Sequence, residues 1–232
     1  EMGAKPCFVF DGPFLLPNEK PQSPVMPRTS ETITMKMAED AKQLLSLMGL
    51  PVVQAMADGE AQAAYICNKE DAWAVASQDY DSLVYNAPRL IANLTMSKSR
   101  KTSAGNKVII GMHILELKDL LNELSINHNQ LIALAMLVGT DYNKGIYGIG
   151  QKKAVKLVQK YGNDFEKMFN ELKWSDEYSW EEVFNHLKNM PVEKHYSLKW
   201  KKPDKEGLMD FLAIERQFNR ERVNNALERC DI

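Results

Sequence analysis

The chain has 232 residues, enough for one large domain or two small ones, and a hydrophobic fraction of 44%, which is typical of a globular core. Its formal net charge of -2 favours neither nucleic acid nor a membrane surface as a partner, so only the distribution of charge is informative. The three cysteines, Cys7, Cys67 and Cys230, lack CxxC spacing, which disfavours a zinc site or a disulfide framework and fits a reducing compartment. No apolar run is long enough for a membrane span or a signal peptide, so we expect a soluble, intracellular protein with no membrane partner. We also expect the protein to be a monomer.

The first half of the chain alternates short apolar runs with helical periods. Residues 7–10 predict a strand buried on both faces of a parallel sheet, and Asp11 follows its end. Residues 13–30 contain five prolines and predict an irregular loop. The next predicted elements are a helix over 30–51 with Ser30 or Thr32 as its cap, a strand at 51–56, a helix at 57–69 and a strand at 72–77.

The following stretch continues in the same way. Strands are predicted at 89–95 and 107–114 around a hairpin-type loop over 96–106, and helices at 117–124 and 126–140. From Asn143 onwards the period is almost wholly helical. Alternating strands and helices with short connections predict an α/β fold with a mainly parallel sheet flanked by helices, followed by a helical part.

Six acidic residues follow a common positional rule in this predicted fold. Each lies at the carboxyl end of a strand, in the first turn of a helix, or just after a helix: Asp11, Asp58, Glu60, Asp79, Asp81 and Asp141. In an open parallel sheet these places meet at one edge, where ligands usually bind. Clustered carboxylates need cations to stay ionised, and oxygen ligands without His or Cys select Mg²⁺, with Mn²⁺ as a substitute. Two such ions about 3.5 to 4 Å apart would activate water and stabilise the leaving oxygen, which predicts phosphodiester hydrolysis.

Each of these acids also has a plain structural interpretation. An Asp after a strand commonly forms a turn or caps a helix, and Asp58 stands at a natural helix N-cap. The pair of Asp79 and Asp81 is harder to explain in this way, because a turn needs only one of the two carboxylates. Position alone therefore leaves both interpretations open.

A glycine-rich turn that leads into a basic helix is the second candidate site. The turn holds three glycines before a predicted helix start at Gln151: Gly145, Gly148 and Gly150. Free backbone N–H groups in such a turn and at the start of a helix can form a phosphate-binding site. Residues 142–160 carry five lysines and no acid, and three of the lysines lie on or near one helix face: Lys152, Lys153 and Lys156. The pattern predicts sequence-independent binding of a nucleic-acid backbone, and its structural alternative is a tight turn followed by a solvated helix face.

Five segments together resemble the XPG and flap endonuclease family of structure-specific 5′ nucleases, most closely its archaeal flap endonucleases. In family order they read KPCFVFDG, LLSLMGLPVVQAMADGEAQAAYI, WAVASQDYDSLVYNAPRLIANLT, LVGTDYNKGIYGIGQKKAVKLVQKYG and YSLKWKKPDKEGLMDFL. The resemblance covers essentially the whole chain. It implies a PIN-like 5′ nuclease fold, with a nuclease core over residues 1–141 and a helical DNA-binding region with a helix-hairpin-helix element over residues 142–232.

The resemblance also implies an activity and a set of site residues. Such nucleases cut branched DNA at the base of a 5′ flap with Mg²⁺ held by carboxylates, act also as 5′ exonucleases, and serve DNA replication and repair. The residues that match the metal-site acids of the family are Asp11, Glu60, Asp79, Asp81 and Asp141. Asp58 stands where the family usually has Glu, a shorter arm that could still reach a metal ion.

Further ligands and partners are implied by the same resemblance. The turn from Gly145 to Gly150 matches an element that grips duplex DNA and is similar to segments that bind a monovalent cation through carbonyl oxygens. A sliding clamp is implied as a partner, through a C-terminal segment that these 232 residues do not include. For an archaeal protein the expected location is the cytoplasm or nucleoid.

The chain departs from the family pattern on both sides of Asp11. The family's first strand, which carries another metal-binding Asp, is not found in the sequence. The proline-rich stretch stands where a helical arch with a catalytic Lys and Arg is expected, and neither Lys20 nor Arg28 can be matched to those two residues. A sheet without that first strand would expose backbone pairing groups. We therefore expect the functional protein to have an N-terminal portion beyond these residues.

Two other functions stay open. A non-catalytic branched-DNA binding module of the same fold would bind without cutting, if the first strand and its Asp were lost. A phosphatase with Asp11 as its nucleophile fits poorly, because such an enzyme needs a second Asp two residues later, where this chain has Pro13.

Overall fold

The computed structural model of the protein describes residues 3–13, 15–17, 35–94, 98–101 and 107–229. The predicted caps Ser30 and Thr32, together with Lys20 and Arg28, lie outside the described residues. The chain forms two compact units. The first unit comprises Glu1–Phe10, Met26–Ala55 and Glu193–Ile232, and the second comprises Asp11–Val25 and Met56–Val192.

Short strands and longer helices alternate through the described part of the first 138 residues. The strands are β1 (Phe8–Phe10), β2 (Val52–Gln54), β3 (Val75–Ala76), β4 (Arg89–Ala92), β5 (Lys98–Lys101), β6 (Lys107–Ile110) and β7 (His113–Glu116). The α helices are α1 (Met35–Leu47), α2 (Gly59–Asn68), α3 (Asp81–Val84), α4 (Leu117–Leu124), α5 (His128–Val138), α6 (Gln151–Tyr161), α7 (Phe165–Glu171), α8 (Trp180–Lys188), α9 (Lys205–Met209) and α10 (Arg220–Arg229). A π-helical turn, Asp210–Glu215, follows α9.

The first unit pairs β1 with β2 in parallel, and Phe8 lies opposite Val52. The side chain of Phe8 is 38% exposed, so the prediction of a strand buried on both faces is wrong. Within the described residues, β1 has only β2 as a neighbour in its sheet.

Elsewhere in this unit, the guanidinium of Arg216 forms a two-point ion pair with Asp40 of α1, with Nε to Oδ2 at 2.9 Å and Nη2 to Oδ1 at 2.5 Å.

The second unit holds a three-stranded sheet in the order β3, β4, β7, in which β3 and β4 are parallel and β4 and β7 are antiparallel. A separate hairpin pairs β5 with β6. The sequence prediction was wrong here in two ways. The predicted loop over 96–106 contains β5, and the predicted strand over 107–114 divides at Gly111 into β6 and β7, which pair with different partners. Strand propensity expresses side-chain packing more than backbone preference, so a basic, Ser-containing strand is easily taken for a loop.

The core of the second unit is built largely by helices. Asn127 and Gln130 cap the start of α5 reciprocally, which fixes the point where this helix begins. Helix α5 buries four side chains completely: Ile132, Ala133, Met136 and Leu137. Helix α6 contributes Ala154 and Val158 to the same core. The predicted helices over 117–124 and 126–140 and the largely helical remainder are confirmed, with residues 190–204 as an irregular interruption.

The predicted α/β class is confirmed, since β1 and β2, and also β3 and β4, are parallel pairs between helices. In the part of the chain that the structure describes, no helix combines the length and apolarity needed to cross a membrane. The resemblance divides the chain by function, into a nuclease core over 1–141 and a DNA-binding region over 142–232. The two compact units are defined by packing and do not test that division, so it stays a prediction.

Candidate functional site

Asp11 lies directly after β1 and accepts a hydrogen bond at the start of helix α2. The backbone N–H of Gly59 donates to Oδ1 of Asp11 at 2.8 Å, and Gly12 N–H donates to the carbonyl of Ala57 at 2.6 Å. A Cβ at position 59 would lie 2.6 Å from the same Asp11 oxygen, closer than real Cβ atoms approach. Glycine at this place therefore lets the carboxylate reach the helix start, where a negative charge is favoured.

Asp58 is the N-cap of α2. Its Oδ1 accepts from the backbone N–H groups of Glu60 at 2.7 Å and Ala61 at 3.0 Å. Its Oδ2 accepts from the hydroxyl of Tyr85 at 3.0 Å. Burial, supported by the charge of Asp11, raises the pKa of Asp58. The structural interpretation of Asp58 as a cap is therefore observed, and its predicted metal-binding role stays a prediction.

Glu60 is held by two residues that come from the next strand and helix. The hydroxyl of Ser77 lies 2.5 Å from Oε1, and the backbone N–H of Ser82 donates to Oε2 at 2.6 Å. The same Ser77 oxygen accepts from the N–H of Asp79 at 3.1 Å, which links the two acids through one side chain. Burial raises the pKa of Glu60 from 4.5 to about 7, and the charges of Asp81 and Asp58 act in the same direction.

Asp79, Asp81 and Asp141 have exposed positions in the second unit. Asp81 begins α3, and Asp141 follows the end of α5. Desolvation and the negative charges of Asp141, Asp58 and Asp79 raise the pKa of Asp81. Asp58, Asp81 and Asp141 also line one small pocket together with Tyr85 and Tyr142. The predicted acids from three separate segments thus come together at one place.

The electrostatic interactions connect all six predicted acids: Asp11, Asp58, Glu60, Asp79, Asp81 and Asp141. We call this set the acidic cluster. Its donors are oxygen atoms only, and carboxylates that oppose each other's ionisation fit a hard divalent cation. As the side chains stand, however, no three His, Cys, Asp or Glu residues of the described chain are close enough to hold a metal ion. Binding would require rotation of the exposed carboxylates, which their surface positions permit.

Two tyrosines, Tyr85 and Tyr142, lie beside Asp58 of the acidic cluster. The hydroxyl groups of Tyr85 and Tyr142 interact with each other, and Tyr85 donates to Asp58. Burial raises the pKa of both phenols, with the charge of Asp58 as the next contribution, so both stay protonated at any ordinary pH. Tyr85 therefore keeps the proton that it donates to Asp58.

The glycine-rich turn belongs to the connection between α5 and α6, residues 139–150, which we call the hairpin. Gly145 has φ +74°, and a Cβ there would lie 2.4 Å from the carbonyl oxygen of Val138. The N–H of Ile146 donates to the carbonyl of Leu137 at 2.9 Å, which ties the hairpin back to the end of α5. The order of α5, hairpin and α6 fits the helix-hairpin-helix element that the family resemblance implies. Its role in DNA binding stays a prediction.

Helix α6 begins after Gly150, which has no side chain to cap the first-turn N–H groups. The three predicted lysines on this helix are exposed: Lys152, Lys153 and Lys156. The ammonium of Lys153 reaches the carbonyl of Gly148 at 3.5 Å, so positive charge lies directly beside the turn. Free amides and lysines together suit a phosphate group chemically.

Sequence reasoning missed Gly59, Ser77 and Tyr85. Each acts through a contact with a residue that is 17 to 48 positions away in the sequence. One local signal for Gly59 was available, because glycine weakens the first turn of a helix unless close approach requires it. No comparable local pattern marks Ser77 or Tyr85.

Comparison with known proteins gives a consistent family. A family model for the XPG I-region matches residues 49–141. Flap endonuclease 1 of Staphylothermus marinus is 48% identical over 203 residues, which cover 86% of this chain and 58% of that protein. The chain therefore spans little more than half the length of this relative. Flap endonuclease 1 of Thermofilum pendens is 38% identical over 258 aligned positions, which cover 100% of this chain and 74% of that protein.

A solved structure agrees with the sequence relatives. The flap endonuclease-1 from Methanococcus jannaschii is 35% identical and superposes with a TM-score of 0.75 over 97% of this chain and 74% of that one. The predicted resemblance and fold are thereby confirmed. The chain belongs to the flap endonuclease 1 family.

Proposed function

We propose that the protein is a structure-specific 5′ flap endonuclease that also acts as a 5′ exonuclease in DNA replication and repair. The observation that carries this proposal is the acidic cluster, in which six carboxylates from four segments interact in one unit of a flap endonuclease family fold. The reaction would be hydrolysis of a DNA phosphodiester bond.

The six residues of the acidic cluster would hold the divalent cations: Asp11, Asp58, Glu60, Asp79, Asp81 and Asp141. We propose two Mg²⁺ ions, with Mn²⁺ as a substitute, because the donors are all carboxylate oxygens. When bound, these ions would supply Lewis-acid stabilisation of the phosphate and a lowered pKa for water. Asp79, Asp81 and Asp141 are the proposed direct ligands, since their exposed side chains can turn toward an ion.

The chain's own residues orient the less mobile acids. The N–H of Gly59 fixes Asp11, and Tyr85 fixes Asp58. Glu60 is fixed at both oxygens by Ser77 and Ser82. Because its pKa is about 7, Glu60 holds a proton on part of the molecules at neutral pH until a cation favours its ionised form.

DNA binding is proposed for the helical region over 142–232, with the hairpin and α6 as the main contact. The backbone amides around the glycines would receive a phosphate, and the lysines would neutralise its neighbours: Gly145, Gly148, Gly150, Lys152, Lys153 and Lys156. Carbonyl oxygens of the hairpin would bind a monovalent cation between protein and DNA. We further propose that the protein is a monomer and that a sliding clamp is one of its partners.

A second candidate function is a branched-DNA binding module that does not cut. One observation favours it: among the described residues, the acids are not arranged closely enough for three of them to share an ion. A binding module would keep the hairpin and lysines and would have no requirement for Mg²⁺.

The test is a cleavage assay on three DNA substrates of the same sequence: a 5′ flap, a nicked duplex and a single strand. Each is labelled and incubated with the protein in Mg²⁺ or in EDTA. The proposal expects cutting at the base of the flap in Mg²⁺ only, and slower removal of 5′ nucleotides from the nick. Binding to the flap without cutting in either Mg²⁺ or Mn²⁺ would establish the second candidate instead.

A further inference from the structure

Tyr147 has the most exposed large hydrophobic side chain in the part of the chain that the structure describes. Its relative exposure is 104%, and the next value among such side chains is 68%, at Ile214. Single exposed apolar residues are common, but their side chains usually lie along the surface. A phenol ring that touches nothing has no packing role in the folded chain.

A hydrogen-bonded turn holds Tyr147 and keeps its ring away from the protein. Tyr147 and Gly148 are the two central residues of a turn, closed by the N–H of Ile149 donating to the carbonyl of Ile146 at 3.0 Å. Gly148 has φ +77°, as the second central residue of a type II turn requires. Ile149 is buried and anchors the turn. The turn therefore presents the ring to solvent at the tip of the hairpin.

The surroundings of the ring indicate what it contacts. Lys153 places its ammonium 3.5 Å from the Gly148 carbonyl in the same turn, and Lys152 is the next exposed residue of α6. No acidic residue occurs from Tyr142 to Lys160. An aromatic ring beside lysines and a helix start that has no side-chain cap matches the combination that nucleic-acid binding surfaces use.

We propose that Tyr147 packs its ring against a deoxyribose of the duplex whose phosphates bind the hairpin and α6. This inference rests on the proposed function. The bases of an intact duplex are stacked on each other, so a ring at the backbone meets sugar carbons rather than a base face. The contact supplies an apolar part of DNA binding, distinct from the ionic part that the lysines supply.

The two parts respond differently to salt. Each phosphate contact contributes about 0.9 to the slope of log K against log salt concentration, because its neutralisation releases counterions. A ring that packs on a sugar releases none. Loss of the ring therefore lowers affinity by the same factor at every salt concentration, whereas loss of a lysine makes binding less dependent on salt.

The experiment measures binding of a labelled 5′ flap DNA by fluorescence anisotropy across a salt series, in Ca²⁺ to limit cutting. Tyr147→Ala is expected to weaken binding about tenfold with an unchanged slope, which corresponds to the loss of a small buried apolar contact. Tyr147→Phe keeps the ring and is expected to bind like the wild type. Lys152→Gln combined with Lys153→Gln is expected to reduce the slope by about 0.9 for each lysine. Trp73→Ala, at an exposed aromatic residue outside residues 142–232 with 57% exposure, serves as the matched control and is expected to have no effect.

Wild-type affinity in Tyr147→Ala would overturn the proposal, as would a reduced slope in that variant. Equal losses in Tyr147→Ala and Tyr147→Phe would also overturn it, because the hydroxyl and not the ring would then make the contact.

Cleavage of the flap by the wild type in Mg²⁺ is measured in parallel. Cutting by the wild type with normal binding by Tyr147→Ala overturns the tyrosine contact alone. Wild-type binding without cutting overturns the nuclease function, while the salt series still decides the tyrosine contact, and no wild-type binding overturns both.

Discussion

The backbone N–H of Gly59 donates a hydrogen bond to Oδ1 of Asp11 at 2.8 Å, and a Cβ at position 59 would lie 2.6 Å from that same oxygen. The hydrogen bond and the missing side chain thus depend on each other. Asp11 can approach the start of α2 only because residue 59 is glycine. This contact joins two segments that lie 48 positions apart in the chain.

Gly59→Ala is therefore expected to displace the Asp11 carboxylate. The added methyl group must push the oxygen away, so Asp11 leaves its place in the acidic cluster. Helix α2 itself gains a residue that forms helices better than glycine. We expect single-turnover flap cleavage to fall at least tenfold, with little change in melting temperature. Gly111→Ala is the matched control, because a Cβ there meets nothing within 4 Å. Cleavage at the wild-type rate in Gly59→Ala would show that the position of Asp11 is unimportant.

The raised pKa of Glu60 predicts how stability depends on pH and Mg²⁺. Its pKa rises from 4.5 in an ordinary environment to about 7 in the folded chain, so the folded state binds the proton more tightly. The stabilisation is fully present below about pH 4.5 and is lost as pH rises through about 7, with an upper limit of about 3.4 kcal/mol. In EDTA, the melting temperature should fall across this window, and Glu60→Gln should flatten the fall.

Mg²⁺ should act in the opposite sense, because a cation favours the ionised carboxylates of the acidic cluster. We expect added Mg²⁺ to raise the melting temperature at pH 7.5 and to have little effect at pH 5. A scan at the two pH values with and without the ion provides the measurement. An equal effect of Mg²⁺ at both pH values would mean that the ion binds elsewhere.

Gly145 and Gly148 offer a matched pair in the hairpin. Both have positive φ, +74° and +77°, but a Cβ at Gly145 would lie 2.4 Å from the Val138 carbonyl oxygen, whereas one at Gly148 meets nothing within 4 Å. Gly148→Ala should cost only the left-handed backbone strain, about 1 to 2 kcal/mol of unfolding free energy. Gly145→Ala should cost clearly more, because the hairpin must also move away from the end of α5. Equal losses in urea unfolding would contradict the importance of the close contact.

Much of the fold could be predicted because its signals are local. Asp58 with the following helical period marked the start of α2, and the capping pair of Asn127 and Gln130 lies at the start of the predicted helix that became α5. The acids came together as expected because strand ends and helix starts have fixed places in an α/β fold. Strand β5, which pairs with β6, was missed, since a basic strand lacks apolar alternation.

The contacts that orient the acids could not be predicted in the same way. Ser77 holds Glu60 and also accepts from Asp79, and Tyr85 holds Asp58. These contacts depend on how separate segments pack, and a single serine or tyrosine in a sequence carries no sign of its partner. The site residues themselves stay predictions until activity is measured.

The most direct test of the nuclease function is flap cleavage by Asp79→Ala and Asp81→Ala, measured together with flap binding in the same preparations. If these carboxylates hold the catalytic cations, several kcal/mol of charge stabilisation is lost and cutting should fall at least about a hundredfold in each variant. Binding should be unchanged or slightly tighter, since removal of a negative charge reduces repulsion of the DNA phosphates. Retention of wild-type cutting in both variants would contradict the proposed role of the acidic cluster.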